Sequence, residues 1–205
     1  MIKSEFFEQA LKYTDDNKVV ERLWEEICQQ YQYKERHYHN LDHLNNFLAD
    51  LYDVKTLLKK WDAMIFALVY HDIIQNAGAG KNEIMSAELA ADRLNSINFP
   101  KDLIELCRRA ILATKKHSEE KTADINYFTD ADLGILGKSW TEYKAYAENV
   151  RKEYPNVPDF FFKNSRKKLL QAMLKQPRIY KSEHFYKKYE AQARLNIEKE
   201  IDEML

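Results

Sequence analysis

The sequence is short of turn-formers and cysteine: four Gly, four Pro and two Cys in 205 residues. So few Gly and Pro leave little room for the tight turns of a many-stranded sheet. Cys28 and Cys107 are too few for a disulfide framework. Both fall in amphipathic helical patterns and read as reduced, packed thiols of a cytosolic protein. No apolar run reaches the ~20 residues of a transmembrane helix. The start, Met-Ile-Lys-Ser-Glu-Phe-Phe-Glu-Gln-Ala, has no long apolar segment of the signal-peptide kind. The expectation is a soluble cytoplasmic protein with no membrane partner. Charge of one sign is missing too: Lys+Arg 32 stand against Asp+Glu 33. No global field therefore points to a nucleic-acid polymer or an anionic membrane. Repeats, low-complexity tracts and linkers are absent.

What is present is helix. Hydrophobic residues make up 45%, mostly at helical spacing among Leu, Ala, Glu and Lys. Ser4 to about Tyr13 reads as a short amphipathic helix. Asp15, Asp16 or Asn17 caps the next, with Val20, Leu23, Trp24 and Ile27 inward. Helices follow over His39–Asp53 and about Thr56–Asp72. Gln75–Gly80 reads as an exposed loop. Asn82 caps a helix to Leu94, and Pro100 opens another in its first turn. Glu119–Asn126 reads as a polar connection. Ser139 and Glu142 form a capping box. Phe160–Lys175 is amphipathic. Ser182 begins a long charged helix with Phe185, Tyr189, Ala193, Leu195 and Ile197 inward. Tyr143, Tyr146, Phe160, Phe161 and Phe162 lie at helical spacing and read mostly as core. The predicted fold class is all-α, a single helical bundle.

The pattern is organised around Tyr70-His-Asp72. It closes the apolar run Trp61-Asp-Ala-Met-Ile-Phe-Ala-Leu-Val-Tyr70, which reads as a buried helix. Buried ionisable groups are costly unless paired or metal-bound, so His71 and Asp72 need partners. Candidates lie nearby: His39 and His43, four apart and so on one helix face, and Asp130 and Asp132, flanked by apolar residues. Singly, each has an ordinary reading, a hydrogen-bonded core histidine or a helix cap. Together, imidazoles and carboxylates suit a divalent cation and leave coordination positions open for water and substrate.

The order His43, His71-Asp72, Asp132 resembles the H…HD…D pattern of the HD superfamily of metal-dependent phosphohydrolases. Tyr38-His-Asn-Leu-Asp-His43 is similar to the Tyr-His-Asn-x-x-His signature of cyclic-nucleotide phosphodiesterases, distant members of that superfamily. Ala131-Asp132-Leu133 resembles the string around their last metal aspartate. More of the chain resembles a compact bacterial family of predicted HD phosphohydrolases. The matching strings are His37-Tyr-His-Asn-Leu-Asp-His43, Tyr70-His-Asp72, Asn82-Glu83 with Ser86-Ala87, Ala113-Thr-Lys-Lys-His117, Asp130-Ala-Asp-Leu-Gly-Ile-Leu-Gly137, Val150-Arg-Lys-Glu-Tyr154 and Glu190-Ala-Gln-Ala-Arg194-Leu-Asn196.

The resemblance implies a single HD-type domain over 1–205, with a metal-site core at 37–137 and C-terminal helices, 139–205, packed on it. It implies that His43, His71, Asp72 and Asp132 ligate one divalent cation of the Mn, Fe, Mg or Zn kind. Asp72 would bridge to a second ion if one binds. Asp130 is then a partner that orients a ligand histidine, or the alternative ligand. His39 matches the general acid of the phosphodiesterases. Glu83 and His117 fall where related enzymes place water-activating or second-metal groups, and Asp72 can also take the water's proton. Arg36, beside the histidines, and Lys115, beside His117, are the candidates for substrate phosphate; Arg151 and Arg194 lie further off. The implied substrate is a small phosphoester, nucleotides among them. The chain lacks the phosphodiesterases' purine-binding C-terminal portion, so their substrates do not carry over. Two other readings compete. One is a non-catalytic metal- or nucleotide-binding helical protein, stapled by its metal. The other is a plain helical interaction domain. The oligomeric state is not legible.

Overall fold

In the computed structural model, which describes residues 1–75 and 80–204, the chain is all-α. Helices are α1 (Ile2–Ala10), α2 (Asn17–Tyr31), α3 (Leu41–Asp53), α4 (Trp61–Tyr70), α5 (Asn82–Ser96), α6 (Lys101–Ala113), α7 (Ala123–Asp132), α8 (Trp140–Lys152), α9 (Asp159–Leu174) and α10 (Glu183–Glu203). Two tight helical turns, Lys55–Leu57 and Leu133–Gly137, follow α3 and α7. No strand occurs among the described residues. None of their helices is long and apolar enough to cross a membrane. Residues 76–79, the middle of the expected loop, lie outside the described residues.

The bundle is built around α4. Every residue from Ala63 to Tyr70 is fully buried, as an apolar surface on all sides of a helix requires. Helices α1, α3, α5, α6 and α7 all pack on it. Met64, Ile65, Phe66, Leu68 and Val69 alone stabilise the fold by about 1.5–3 kcal/mol each. That sum is large enough to hold His71 and Asp72 at the helix end, where polar burial costs a few kcal/mol. One hydrophobic core runs from Ile2 in α1 to Ile197 in α10. Cys107 is buried and Cys28 half-buried, both as free thiols.

Several helix starts differ from the expected ones. His39 is outside α3: Asn40 is the N-cap, its side chain accepting from the Asp42 and His43 amides. The helix expected from Thr56 is broken at Leu58, whose backbone is extended. Helix α4 has no side-chain cap of its own. Instead Asp124 of α7 accepts from the Lys59 and Lys60 amides at 3.0 and 2.8 Å. A cap supplied by another helix leaves no local sequence signal. Asn82 is the first residue of α5 and Lys81 its N-cap, without a side-chain cap bond. Pro100 is the N-cap position of α6. Helix α7 begins at Ala123, inside the expected polar connection. Asp16 caps α2 and the Ser139–Glu142 capping box opens α8, both as expected. Phe160 and Phe161 are not core; they are 71% and 62% exposed. Leu195 is 59% exposed, on the outer face of α10.

The turn Leu133–Gly137 locks the C-terminal helix to the core. Buried Asn196 donates from Nδ2 to the carbonyls of Leu136 and Lys138, both at 2.8 Å. Gly137 lies directly beneath Tyr189: a Cβ there would overlap that side chain. Tyr189 cannot easily swing away, because its hydroxyl binds Asp50 and receives a bond from Lys138. Gly137→Ala should therefore destabilise by about 3 kcal/mol through overpacking. That exceeds the roughly 0.4–1 kcal/mol that Gly→Ala gains from the unfolded chain. At roughly 2–4 °C per kcal/mol for a chain of this size, the net loss of about 2–2.6 kcal/mol should lower Tm by about 4–10 °C. An unchanged Tm in a calorimetric scan would show that Tyr189 yields.

Candidate metal centre

The site forms where the C-terminal ends of α4 and α7 meet the first turn of α3. His71 is the C-cap of α4, Asp132 the last residue of α7 and His43 the third residue of α3. Helix C-termini carry partial negative charge, which disfavours a carboxylate and favours a cation. Two such ends here deliver ionisable groups to one point, and Asp72 follows one residue after the first.

One ligand atom each from His43, His71 and Asp132 lies within 4.8 Å of the others, a group that could hold a metal ion. The two Nε2 atoms of His43 and His71 are 3.2 Å apart. Asp132 Oδ1 is 3.5 Å from the first and 3.6 Å from the second. Asp72 Oδ2 is 3.0 Å from His71 Nε2. His71 Nδ1 bonds the Leu68 carbonyl at 2.8 Å. Nδ1 must carry a hydrogen there, so the neutral ring presents its Nε2 lone pair inward, as a ligand does. Phe47 packs against both His43 and His71, and Phe128 against His71, which fixes the ring planes.

Burial works against charge on both imidazoles, with different results. For His71 the carboxylates of Asp72 and Asp132 outweigh burial and push it up to about 9. For His43 burial, joined by the neighbouring His71, outweighs Asp132 and pulls it down to about 4. Asp72 is held well below the usual carboxylate range and Asp132 below it, because the histidines outweigh the burial that would raise them. The cluster thus keeps two half-buried carboxylates anionic beside two buried imidazoles. Carboxylates so placed require positive charge between them, and the donor set of two imidazoles and two carboxylates fits a divalent cation.

His117 joins through the far oxygen of Asp132, with Nε2 at 2.9 Å from Oδ2. Its backbone is in the left-handed region at φ 49°, a conformation uncommon outside glycine and enriched at functional sites. Asp132 therefore faces three histidines. Asp130, two residues away on the same helix, points the opposite way, as a 3.6-residue period demands. Its carboxylate accepts from the Lys181 and Ser182 amides at 3.0 and 2.7 Å and pairs with the Lys181 ammonium at 2.8 Å. It contacts no ligand histidine in the way expected of it. Lys181 in turn donates to the His117 carbonyl, so Asp130 supports the His117 backbone at one remove.

His39 reaches the site from the loop before α3. Its Nδ1 is 2.6 Å from Glu153 Oε2, and its Nε2 is 3.8 Å from Asp72 Oδ2. Glu153, just past α8, also accepts from the Tyr38 and His39 amides at 2.8 and 2.9 Å and from Gln75 at 3.1 Å. Burial alone would raise its pKa, but these donors, His39 first, hold it down to about 2. His39 is shifted up: the carboxylates of Asp72 and Glu153 outweigh its burial. Glu153 was not among the residues expected at the site, although it lies in a string quoted above. The one local hint was an acid at the end of α8, where the helix dipole favours a cation.

The two phosphate-binding candidates fare differently. The Arg36 guanidinium donates to the carbonyls of His39, Asp72 and Ile73 at 3.1, 2.7 and 2.8 Å and lies over the Tyr31 ring. It is a brace between the His39 loop and the end of α4, and the expected phosphate contact is corrected to that. Lys115 stands at the cavity mouth, pairing with Glu83 at 3.2 Å and donating to the Gly80 carbonyl. Arg151 and Arg194 bond Asp159 and Glu190 respectively, away from the cluster.

His39, His43, Asp72, Glu83, Lys115, His117 and Asp132 all line one cavity of about 780 Å³; His71 and Glu153 stand behind them. Comparison of the chain with protein families, with curated proteins and with solved structures gives no match.

Proposed function

We propose that this chain is a metal-dependent phosphohydrolase of the HD type, acting on a small phosphoester. The observation that supports this most is that His39, held by Glu153, lines the same cavity as His43, Asp72 and Asp132 of the metal cluster. A metal that only stapled helices would need neither the cavity nor a carboxylate-oriented histidine at its edge. That is why catalysis is favoured over a non-catalytic metal-binding protein.

His43, His71, Asp72 and Asp132 would hold the cation. Bound there, a divalent ion supplies Lewis acidity and renders water nucleophilic near neutral pH. The chain's own residues do the rest. Asp132, with one oxygen towards His43 and His71 and the other on His117, aligns three imidazoles. Asp72 and Glu83, the carboxylates that line the cavity with Asp132, would accept a proton from attacking water. His39 carries its proton on the Nε2 that faces the cavity, where it can pass to the departing oxygen. Glu153 keeps the ring turned that way and stabilises its charged form. Lys115, at the mouth, offers positive charge to the entering phosphoryl group.

The reading is tested by metal content and turnover together. Protein reconstituted with Mn²⁺ and desalted should retain at least one equivalent by elemental analysis. It should hydrolyse members of a phosphomonoester and phosphodiester panel, and lose both properties on chelation. Retained turnover after complete chelation, or no stoichiometric binding of any divalent ion, would remove the proposal.

A further inference from the structure

The cavity is larger than a phosphoryl group requires. Its volume of about 780 Å³ is in the range of sites for drug-sized molecules, and the histidine–carboxylate cluster occupies only one end. Away from the cluster the wall is mostly aliphatic and aromatic, with Tyr154, Ser165 and Gln176 among its few polar members. Leu136, Val150, Leu170 and Ile179 are buried residues of this wall, and Phe162 and Met173 extend it. They come from the turn after α7, from α8, from α9 and from the segment before α10. The cation in this half is already bound: Arg166 is clasped by Glu200 at 3.0 and 3.1 Å and donates to the Tyr146 hydroxyl. A second phosphate or a carboxylate placed here would meet no uncommitted guanidinium. A ribose or a free sugar has more hydroxyls than Tyr154, Ser165 and Gln176 can pair, and each one left against the carbon wall carries a cost.

We infer that the substrate is an amphiphilic phosphoester, its phosphoryl group at the His43/His71/Asp132 end and a bulky, mostly apolar leaving group in the chamber between α8 and α9. The phosphoryl end rests on the phosphohydrolase reading; the chamber does not. The geometry also explains the site's order. His39 borders the cavity beside the cluster, so the ester oxygen lies between the phosphoryl group and the apolar body it releases.

Non-hydrolysable alkyl phosphonates separate the two parts, because binding is read without turnover. Calorimetric titration of the Mn²⁺-loaded full chain with methyl, butyl and hexyl phosphonate should show affinity rising by up to about fourfold per buried methylene. From methyl to hexyl we expect a gain of at least about thirtyfold. Val150→Thr and Met173→Gln, which place polar atoms in the wall at nearly constant volume, should each flatten the series. Two variants guard against one that folds poorly, and each is checked by its thermal melt. Equal affinity across the series, or tighter binding of adenosine monophosphate than of hexyl phosphonate, overturns the inference and leaves the phosphohydrolase reading intact. A length series that neutral alkanols of the same lengths match in affinity without metal keeps the chamber but overturns the placement of the phosphoryl group at the cluster, and with it the phosphohydrolase reading.

Discussion

Asp132→Ala is expected to strip the protein of bound metal and lower kcat/KM by about 10³-fold or more. A metal's stabilisation of transition-state charge is worth several kcal/mol, and each 1.36 kcal/mol is a factor of ten. Asp132 is the residue to remove because one carboxylate meets three imidazoles: His43 at 3.5 Å, His71 at 3.6 Å and His117 at 2.9 Å. Asp130→Ala is the matched control, one turn-half away on the same helix. It should keep the metal and cost stability instead, about 1–3 kcal/mol for the amides and ammonium left unpaired. The checks are elemental analysis, turnover and a denaturant melt on both variants. An Asp132→Ala protein that keeps its metal and its rate would dismantle the site assignment. The reverse pattern, metal lost on Asp130→Ala alone, would make Asp130 the ligand.

Glu153→Gln should act on turnover without touching metal content. General acid catalysis contributes about 10²–10⁴-fold, and its share is greatest for poor leaving groups. An alkyl phosphoester should therefore lose about 10²-fold in kcat, while a nitrophenyl ester, whose leaving group departs unaided, should lose little. The pH profile carries a second signature. His39 must hold its proton to act, so activity falls as pH rises through its pKa. In the native protein that pKa lies above the usual histidine value, with burial opposed by Asp72 and Glu153. Removing the Glu153 charge lowers it, and the alkaline limb moves to lower pH. Equal losses on both esters, with an unmoved limb, would reduce Glu153 to a structural cap on the Tyr38 and His39 amides.

Much of this was legible in the residues themselves, and the exceptions have a common cause. The apolar run before His71 reads as a core helix because no face of it is polar, and α4 is fully buried. His43, His71 and Asp132 do converge. What periodicity could not provide was direction across elements. The spacing of His39 and His43 suggested one helix face, yet Asn40 caps α3 between them, and the rings meet because the loop folds back. Only the Ala-Asp-Leu resemblance favoured Asp132 over Asp130; that Asp130 is taken up by Lys181 and Ser182, just before α10, no local spacing shows. Arg36 looked like a phosphate ligand because it neighbours histidines; two of its three partners are main-chain carbonyls 36 and 37 residues away, which no side-chain pattern reports. Glu153 was missed for the same reason, reaching amides 114 and 115 residues back. Phe160 and Phe161 carried a helical pattern without a core to face.

The Arg36 brace has a dynamic consequence. One planar side chain joins the loop that carries His39 to the turn that carries Asp72, through three carbonyls rather than through exchangeable side chains. Those two segments should open to solvent as one cooperative unit, so that the amides of residues 38–43 and 71–73 exchange hydrogen at a common rate. Metal would then enter a site whose loops are already ordered, and little of its binding energy is diverted into arranging them. Lysine, with a single point of charge, cannot span the same three acceptors. The rigidity of the centre thus depends on a residue outside the His43/His71/Asp132 cluster, through its bonds to main-chain carbonyls.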